Sequence, residues 1–308
     1  MSLKNLSAKR IPEILKAKLL NKRINKLFKK FKKNFDVKSN FSVAVSGGPD
    51  SLALSFLTRV YSTEKNLTCE YFIVDHKLRK ESTKEANQVK LILKKIDIVS
   101  NILTWNRRKS SRVTQSMARK KRYDLLFNEC NKNNIKNLVL GHHSDDLIEN
   151  FFIRMVRGSG LKGLVSFGQK IKIEQINLIR PLLDFSKEDL TFISRHVFNY
   201  YVNDSSNEDE KYTRTRIRKL ITGLNKNGLD KKKLFMTINN LKSSNQVISH
   251  YINENIKINS TLDNKNRRII LNSSFFQHPY EVVFRSLSNT IQSIGAKYYP
   301  VRGKKIDN

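Results

Sequence analysis

One segment of the chain combines residue types that bind anions, and it lies between a short apolar run and a helical pattern. The segment consists of Ser46, Gly47, Gly48, Pro49, Asp50 and Ser51. Its two glycines let the backbone approach an anion closely, and the start of the following helix offers free N–H groups at the positive end of the helix dipole. The two serines add hydroxyl donors. The segment therefore predicts a phosphate-binding turn; the alternative is an ordinary glycine-containing turn.

Asp50 is an unexpected residue in such a turn, because its carboxylate repels phosphate. A divalent cation such as Mg²⁺ would convert that repulsion into attraction, since it binds carboxylate and phosphate oxygens together. Asp50 is therefore a candidate magnesium ligand. The sequence holds no G-x-x-x-x-G-K-[ST] motif, so the turn differs from that of the common phosphate-loop ATPases.

Three carboxylates form a second candidate site. Asp145, Asp146 and Glu149 open a predicted helix that directly follows a short apolar strand. Spacings of three and four residues place Glu149 on the same helix face as both aspartates. They would form an acidic cup for Mg²⁺ or for a cationic amine such as lysine; alternatively, they only stabilise the helix N-terminus. His142 and His143 precede them, but adjacent side chains point apart, which argues against a shared transition metal.

Basic residues form three further groups. They are Arg119 and Arg122 on one predicted helix beside Tyr123, Arg214, Arg216 and Arg218 in a later segment, and Lys29 and Lys30 in a basic, amphipathic N-terminal stretch. A merely solvated surface is an open interpretation for all three groups, and contact with RNA phosphates is the other interpretation for the last two. A membrane role is a third interpretation for the N-terminal stretch.

The charge of the whole chain points to a polyanionic partner. The formal net charge is +32, far beyond what solubility requires. Nucleic acid is the first partner to consider and an anionic membrane surface the second. No apolar run reaches the roughly 18 residues that a transmembrane helix needs, and no signal-peptide pattern begins the sequence. The two cysteines, Cys69 and Cys130, lack metal-site spacing. We expect a cytoplasmic protein with no membrane partner.

The elements that must position these residues alternate between strand and helix from residue 40 to about residue 160. This alternation predicts a doubly wound parallel α/β sheet, with a ligand crevice at the carboxyl ends of its strands. Residues 170–179 are predicted as one exposed strand and residues 222–233 as a linker. The predicted regions are a basic helical extension over 1–39, a catalytic domain over 40–225 and a small, mostly helical domain over 226–308.

Segment 46–51 resembles the PP-loop of the N-type ATP pyrophosphatases, and further motifs resemble one family within them, the tRNA(Ile)-lysidine synthetases. The further motifs are VDHKLR at 74–79, ARKKRY at 118–123, GHHSDDLIEN at 141–150 with RGSGLKGL at 157–164, RPLL at 180–183, and a cluster of Asp204, Asn207, Tyr212, Arg214 and Arg218. Lys77 stands where the family usually has Gly, and Asn150 where it usually has Thr. Because the motifs occur in the family's order up to about Leu220, the resemblance is far more specific than any one of them.

The resemblance implies a ligase that joins free L-lysine to C2 of the wobble cytidine of an isoleucine tRNA with a CAU anticodon. ATP would first adenylate the C2 oxygen with loss of pyrophosphate, and the ε-amine of lysine would then displace AMP. The implied ATP site is segment 46–51, with Mg²⁺ at Asp50. The implied catalytic or lysine-binding residues are Arg119, Arg122, Asp145, Asp146 and Glu149.

Two other functions stay open at this point. One is a PP-loop tRNA thiolase, although such enzymes commonly use catalytic cysteines or an iron–sulfur cluster. The other is a basic RNA-binding protein without catalysis. For RNA contact the candidates are Arg214, Arg216, Arg218, Lys29 and Lys30. The sequence does not fix the oligomeric state, and a homodimer is one option.

Overall fold

The computed structural model describes residues 11–78, 81–106, 114–202, 213–263, 265 and 268–295. These residues form two compact units. The first comprises the described residues up to Arg157 together with Phe167–Gly228, and the second comprises Gly158–Ser166 and the described residues from Leu229 onward. The N-terminal helices thus belong to the first unit, and the short segment 158–166 belongs with the C-terminal residues.

Helices make up most of the described chain. They are α1 (Glu13–Leu19), α2 (Lys22–Asn34), α3 (Pro49–Glu64), α4 (Ser82–Lys94), α5 (Gln115–Lys132), α6 (Ser144–Val156), α7 (Leu161–Leu164), α8 (Lys187–Phe198), α9 (Thr213–Lys226), α10 (Lys231–Asn259) and α11 (Tyr280–Ile294). None of these helices is both long and apolar enough to cross a membrane.

The first unit is built on a six-stranded sheet with the order β3-β2-β1-β4-β6-β5. Its strands are β1 (Phe41–Val45), β2 (Cys69–Asp75), β3 (Ser100–Thr104), β4 (Asn137–Val139), β5 (Lys170–Ile173) and β6 (Ile176–Ile179). Neighbouring strands run parallel except for the antiparallel pair β5 and β6. The predicted α/β class with a mostly parallel sheet is confirmed.

Apolar side chains cover both faces of this sheet, as the alternation along a buried strand requires. On β2, Tyr71 and Ile73 point into one cluster, which also contains residues of α2, α3, α4 and α8. Phe72, between them, points into a second cluster, which contains Leu126 and Cys130 of α5. The sheet is therefore fixed between two helical layers, and the loops at its edges are held in place.

The N-terminal stretch forms two helices whose apolar side belongs to the core of the first unit. Ile24, Leu27, Phe28 and Phe31 of α2 are buried, and the Phe31 ring centroid lies 6.2 Å from that of Tyr61 on α3. The opposite side of α2 carries four exposed lysines, which we call the α2 lysine stripe: Lys22, Lys26, Lys29 and Lys33. Their spacing of four, three and four residues places them on one helix face.

The prediction of a single exposed strand over 170–179 is wrong. The chain turns at Glu174, whose φ is +52°, and forms the antiparallel strands β5 and β6. β6 also pairs in parallel with β4 and is largely buried, whereas β5 is the edge strand. The apolar alternation runs through the turn without a glycine or proline, so the pattern gave no sign of a reversal.

The prediction of a linker over 222–233 is also wrong. α9 continues to Lys226, the chain turns at Gly228 with φ +94°, and α10 begins at Lys231. The carboxylate of Asp230 caps α10 by accepting a hydrogen bond from the Lys232 backbone N–H at 2.7 Å. Few residues here are apolar, so the helical period was not visible in the sequence.

The second unit packs α10 against α11 and adds a two-stranded hairpin that the sequence did not predict. The hairpin consists of β7 (Ser260–Asp263) and β8 (Arg268–Leu271), and a short 3₁₀ helix, Ser273–Phe276, follows it. Buried Asn255 on α10 donates hydrogen bonds to the Phe275 carbonyl and the Ser286 hydroxyl, both at 3.2 Å. These bonds fix α10, the 3₁₀ helix and α11 together.

Candidate active site

The candidate active site lies where the strand order of the first unit reverses. β1 and β4 are neighbouring parallel strands although β2 and β3 separate them in the sequence. Segment 46–51 comprises the connection from β1 to α3 and the first three residues of α3, and segment 140–143 connects β4 to α6. Because the carboxyl ends of parallel strands share one edge of the sheet, the two segments meet at a switch point, where open α/β sheets bind their ligands.

Both the backbone conformation of Gly47 and its close neighbours require glycine at this position. Its φ is +83°, and a Cβ atom would lie 2.6 Å from Val89 Cγ2 and 2.9 Å from Val202 Cγ2. Gly48 is the N-cap residue of α3 and Pro49 its first residue. The first backbone N–H groups of α3 therefore face the turn, which is the arrangement that binds phosphate at helix N-termini.

The two serines of the turn have different positions. Ser51 is 5% exposed, and its hydroxyl accepts a hydrogen bond from the Ser46 backbone N–H at 3.1 Å and donates one to the Gly48 carbonyl at 3.0 Å. Ser46 is exposed. The exposed Ser46 hydroxyl donates a hydrogen bond to the Ser51 hydroxyl at 3.2 Å, so both serine hydroxyls are engaged within the turn.

Gly141 brings the second segment against the first. A Cβ atom at this position would lie 3.2 Å from the backbone nitrogen of Ser51 and 3.3 Å from the carbonyl carbon and oxygen of Asp50. Any larger residue would push the two segments apart. The close approach places the residues at the start of α6 directly beside Asp50.

Asp50 forms an ion pair with a residue that the sequence analysis did not single out. The ammonium of Lys187 lies 2.9 and 2.7 Å from the two carboxylate oxygens of Asp50. Lys187 is the first residue of α8, where the helix dipole disfavours a cation. A lysine at this unfavourable position indicates that a nearby anion compensates its charge, and this was the sequence signal for the pair. The pair leaves the Asp50 side chain 24% exposed.

His143 lies between the two segments and contacts a carboxylate from each. Its Nε2 lies 3.7 Å from Oδ2 of Asp50 and 3.7 Å from Oδ2 of Asp146. Its Nδ1 accepts a hydrogen bond from the Asp145 backbone N–H at 3.3 Å, so the neutral ring carries its proton on Nε2, toward the two carboxylates. Asp146 accepts a hydrogen bond from the His143 backbone N–H at 3.0 Å and completes a capping box.

The charge state of Asp146 follows from these neighbours. Burial acts to raise the pKa of Asp146, but the adjacent His143 and His142 and the His143 backbone N–H together lower it below its ordinary value. The pKa of His142 is also shifted. Burial and, to a smaller extent, the Arg180 guanidinium hold the pKa of that imidazole well below its usual range. At neutral pH, Asp146 is therefore ionised and His142 is neutral.

Glu149 is paired with an arginine of α9. Its side chain is 5% exposed, and its carboxylate accepts hydrogen bonds from Nε of Arg218 at 2.5 Å and from Nη2 at 3.4 Å. Burial nevertheless raises the pKa of Glu149 above its ordinary value. Of the three carboxylates of the predicted cup, Asp146 caps α6 and Glu149 binds Arg218. No group of three metal-binding side chains lies in the described ranges.

The arginines of α5 contact aromatic groups beside the site. Nε of Arg122 lies 3.3 Å from Nε2 of His76, which follows β2, and burial together with Arg122 lowers the pKa of His76 to about 4. The Arg119 guanidinium lies 5.2 Å from the ring centroid of Tyr123. The neutral imidazole of His76 therefore accepts the hydrogen bond from Arg122.

Arg180 of the RPLL motif is buried beside the site. It is 5% exposed, its Nε donates to Nδ1 of His142 at 3.2 Å, and its guanidinium lies 4.5 Å from the ring centroid of Phe167. The two adjacent histidines do point apart, since His142 contacts Arg180 and His143 contacts Asp50. The RPLL motif alone gives no sign of the contact between Arg180 and His142, because the two residues are 38 positions apart.

The arginines of the later segment lie on α9 and do not all face the same way. Arg218 binds Glu149, and Arg214 is half-buried and contributes to lowering the pKa of Asp146. Arg216, two residues away from each, is exposed. Helical spacing explains the difference, because residues four apart share a face.

The two N-terminal lysines also differ. The Lys30 ammonium donates a hydrogen bond to the Asp184 carbonyl at 2.7 Å and lies 4.5 Å from the ring centroid of Phe185. Lys29 is exposed and belongs to the α2 lysine stripe. Four motif residues, Arg79, Asp204, Asn207 and Tyr212, lie outside the described residues.

The sheet order and the glycine turn at its switch point define a PP-loop protein. Residues 17–224 match the PP-loop domain family, and the chain belongs to that family. Within it, the chain is similar to tRNA(Ile)-lysidine synthases: it is 34% identical over 279 residues to that of Orientia tsutsugamushi, covering 87% of this chain and 62% of the relative. It is 33% identical over 263 residues to that of Wolbachia pipientis, covering 85% of this chain and 61% of the relative.

The chain spans about three fifths of the length of these curated relatives. Among solved structures, it is similar to a U34-tRNA thiolase from Methanococcus maripaludis, with a TM-score of 0.60, 17% identity and coverage of 72% of this chain and 78% of the thiolase. At that identity, the likeness shows the fold alone.

Proposed function

We propose that the protein is a tRNA(Ile)-lysidine synthetase, which uses ATP to join lysine to C2 of the wobble cytidine of tRNA(Ile) with a CAU anticodon. The observation that carries the proposal is the junction at His143, where a carboxylate of the glycine turn and a carboxylate of α6 each lie 3.7 Å from one nitrogen. The turn proposed to bind phosphate and the acidic start of α6 therefore lie side by side at His143. The similarity to relatives named tRNA(Ile)-lysidine synthase supports the same function.

The ATP phosphates would bind at segment 46–51, against the backbone N–H groups that begin α3. The turn holds no lysine of its own, and Lys187, 2.7 Å from Asp50, supplies a cation at the same place. The described residues fit Mg²⁺ in the way that Mg²⁺ commonly binds, through one or two carboxylates, substrate phosphates and several waters. Asp50 is the proposed protein ligand, and the bound ion would offset phosphate charge.

The two-step chemistry explains why the reaction needs both an ATP-binding turn and an acidic group of residues. The C2 oxygen of cytidine is a poor leaving group, so it must be adenylated, with release of pyrophosphate, before the lysine amine can attack C2 and release AMP. Asp145 and Asp146 would attract the ammonium of lysine. Glu149, whose pKa burial raises, is better suited than Asp146 to accept a proton from that ammonium before attack. Arg119 and Arg122 would face the anionic groups of the reaction.

RNA binding would use exposed basic residues outside the ion pairs described above. These are the α2 lysine stripe and Arg216 of α9, on a chain of net charge +32. Phosphate contacts of this kind orient an RNA without reading its sequence. The reacting cytidine would leave the anticodon stack to enter the crevice. A cytoplasmic location, where tRNA is modified, is part of the proposal.

A thiolase function is not favoured by the cysteines. The sequence contains two, of which Cys130 is buried with its Sγ 3.1 Å from the Ser42 hydroxyl, and burial raises the pKa of both thiols. Neither thiol is therefore activated for sulfur transfer.

The partial reactions test the proposal against both alternatives. With tRNA(Ile) and ATP alone, we expect pyrophosphate release that is limited to about one turnover, and addition of lysine should start multiple turnovers with AMP release. A thiolase would respond to a sulfur donor instead of lysine. A binding protein without catalysis would release no pyrophosphate under either condition.

A further inference from the structure

The connection from β6 to α8, residues 180–186, lies between the candidate active site and the N-terminal helix α2. On the side of the site, the Phe185 carbonyl accepts a hydrogen bond from the backbone N–H of Ser144, the first residue of α6, at 3.2 Å. Lys187, which follows the connection, is paired with Asp50 of the glycine turn at 2.7 Å. The connection therefore contacts α6 and delivers a cation to the turn.

Two polar side chains of α2 hold the other side of this connection. Nδ2 of Asn34 donates hydrogen bonds to Oδ1 of Asp184 at 2.7 Å and to the Pro181 carbonyl at 3.4 Å. The Lys30 ammonium donates to the Asp184 carbonyl at 2.7 Å and lies 3.6 Å from its Oδ2. Asn34 is itself held, because Nε2 of Gln169 donates to its carbonyl at 2.7 Å. We call Lys30, Asn34 and Asp184 the α2 clamp.

The α2 clamp is distinct from the apolar packing of the same connection. The side chains of Leu182 and Phe185 are completely buried in the core of the first unit. In contrast, the side chain of Asp184 is 34% exposed and that of Lys30 is 39% exposed. Loss of a clamp hydrogen bond would therefore leave the core packed and would change the path of the backbone around Asp184.

The position of Lys187 depends on this path. The Ser186 hydroxyl caps α8 by accepting a hydrogen bond from the Asp189 backbone N–H at 3.2 Å, so the helix begins directly after the connection. Lys187 is the first helical residue, and its ammonium is placed there against the helix dipole. A displacement of the connection would therefore displace Lys187 relative to the glycine turn.

We propose that Asn34 is a positioning residue for ATP: through Asp184, it holds Lys187 where the ATP phosphates bind. The assignment rests on the proposed function, in which segment 46–51 binds these phosphates and Lys187 supplies the nearby cation. The attraction between an ammonium and a phosphate falls with their separation, so loss of the α2 clamp should weaken nucleotide binding.

Isothermal titration calorimetry of the full chain with α,β-methylene-ATP and Mg²⁺ tests the assignment without turnover, because the bond that the proposed reaction breaks is not cleavable in this nucleotide. We expect Asn34→Ala to weaken binding about tenfold, close to what one hydrogen bond to a charged group contributes. The matched control is Asn25→Ala on the same helix. The Asn25 amide donates to the Leu19 carbonyl at 3.3 Å, within the N-terminal helices, and its loss should leave nucleotide affinity unchanged.

A double-mutant cycle with Lys187→Ala separates positioning from a general structural role. If Asn34 acts through Lys187, Asn34→Ala should weaken binding by less than about twofold when Lys187 is already replaced. Asp184→Ala removes the acceptor of the same hydrogen bond and should weaken binding at least as much as Asn34→Ala. This second variant keeps the assignment testable if Asn34→Ala does not fold.

Two outcomes would overturn the assignment. One is wild-type nucleotide affinity for Asn34→Ala or for Asp184→Ala, and the other is a weakening by Asn34→Ala that is as large without Lys187 as with it. Nucleotide binding requires neither lysine nor tRNA. A clamp effect without transfer of lysine to tRNA would therefore overturn the proposed function alone, whereas a wild-type chain that binds no nucleotide would overturn both.

Discussion

Arg218→Ala should destabilise the first unit strongly, because it leaves the buried carboxylate of Glu149 without its cation. Removing one partner of a buried ion pair costs roughly 3–5 kcal/mol. The Glu149 side chain is 5% exposed but that of Arg218 is 43% exposed, so water can partly replace the guanidinium. We therefore expect the free energy of unfolding to fall by about 3 kcal/mol, the lower end of that range. For a unit of this size, this lowers Tm by roughly 6–12 °C.

The loss should depend on pH in a defined direction. Burial already raises the pKa of Glu149, and removal of Arg218, which lowers it, raises it further. Between the ordinary pKa of the unfolded carboxyl and the raised pKa of the folded one, the folded chain holds a proton that the unfolded chain has released. Stability in this window falls as pH rises, by about 1.4 kcal/mol per unit of pKa difference. The deficit of Arg218→Ala should thus be larger at pH 8 than at pH 5.

Thermal unfolding at both pH values measures the effect, with two further variants as controls. Arg216→Ala removes an equal charge from an exposed position of the same helix and should change stability by less than about 0.5 kcal/mol. Glu149→Gln in the Arg218→Ala background removes the buried charge and should recover part of the loss. An Arg218→Ala variant that matches Arg216→Ala, or one whose deficit is the same at both pH values, would refute the reasoning.

Three other predictions follow from the site and the surface. Asp50→Asn should reduce pyrophosphate release by at least about 100-fold and leave tRNA binding intact, since it removes the proposed magnesium ligand; near-normal release would contradict this. Replacing Lys29 and Lys33 together with alanine should reduce the salt dependence of tRNA binding more than Lys30→Ala does, because the Lys30 ammonium already binds the Asp184 carbonyl; equal effects would place the stripe away from the RNA. The ring signals of His76 should not titrate between pH 5 and 8 in NMR spectra, because its pKa is lowered to about 4; a midpoint near 6.5 would be inconsistent with its burial.

The sheet and the turns at its switch point could be predicted from sequence because their signals are local. An apolar strand, a glycine turn and a helical period are read within about 20 residues, and the rule for parallel sheets then brings strand ends together. The hairpin at 170–179 was not predicted because its turn is formed at Glu174, a residue type that rarely occurs at chain reversals.

The ion-pair partners of the predicted site residues could not be predicted from local sequence signals. Lys187 and Asp50 are 137 residues apart in the chain, and Arg218 and Glu149 are 69 residues apart. Composition and spacing identified the carboxylates, but only the packing of α8 and α9 shows which cations neutralise them. Spacing predicted an acidic cup without distinguishing its members, and tertiary contacts lower the pKa of Asp146 and raise the pKa of Glu149.

The most direct test of the central claim is nucleoside analysis of tRNA(Ile) with a CAU anticodon after incubation with the protein, ATP and isotopically labelled lysine. Digestion and mass spectrometry should show the wobble cytidine replaced by a lysine-conjugated cytidine that carries the label, with one AMP released for each conjugate. The same tRNA incubated without ATP, and a methionine tRNA incubated with all components, should keep an unmodified cytidine. An unmodified wobble cytidine in the complete reaction, or a sulfur-containing base in its place, would contradict the account.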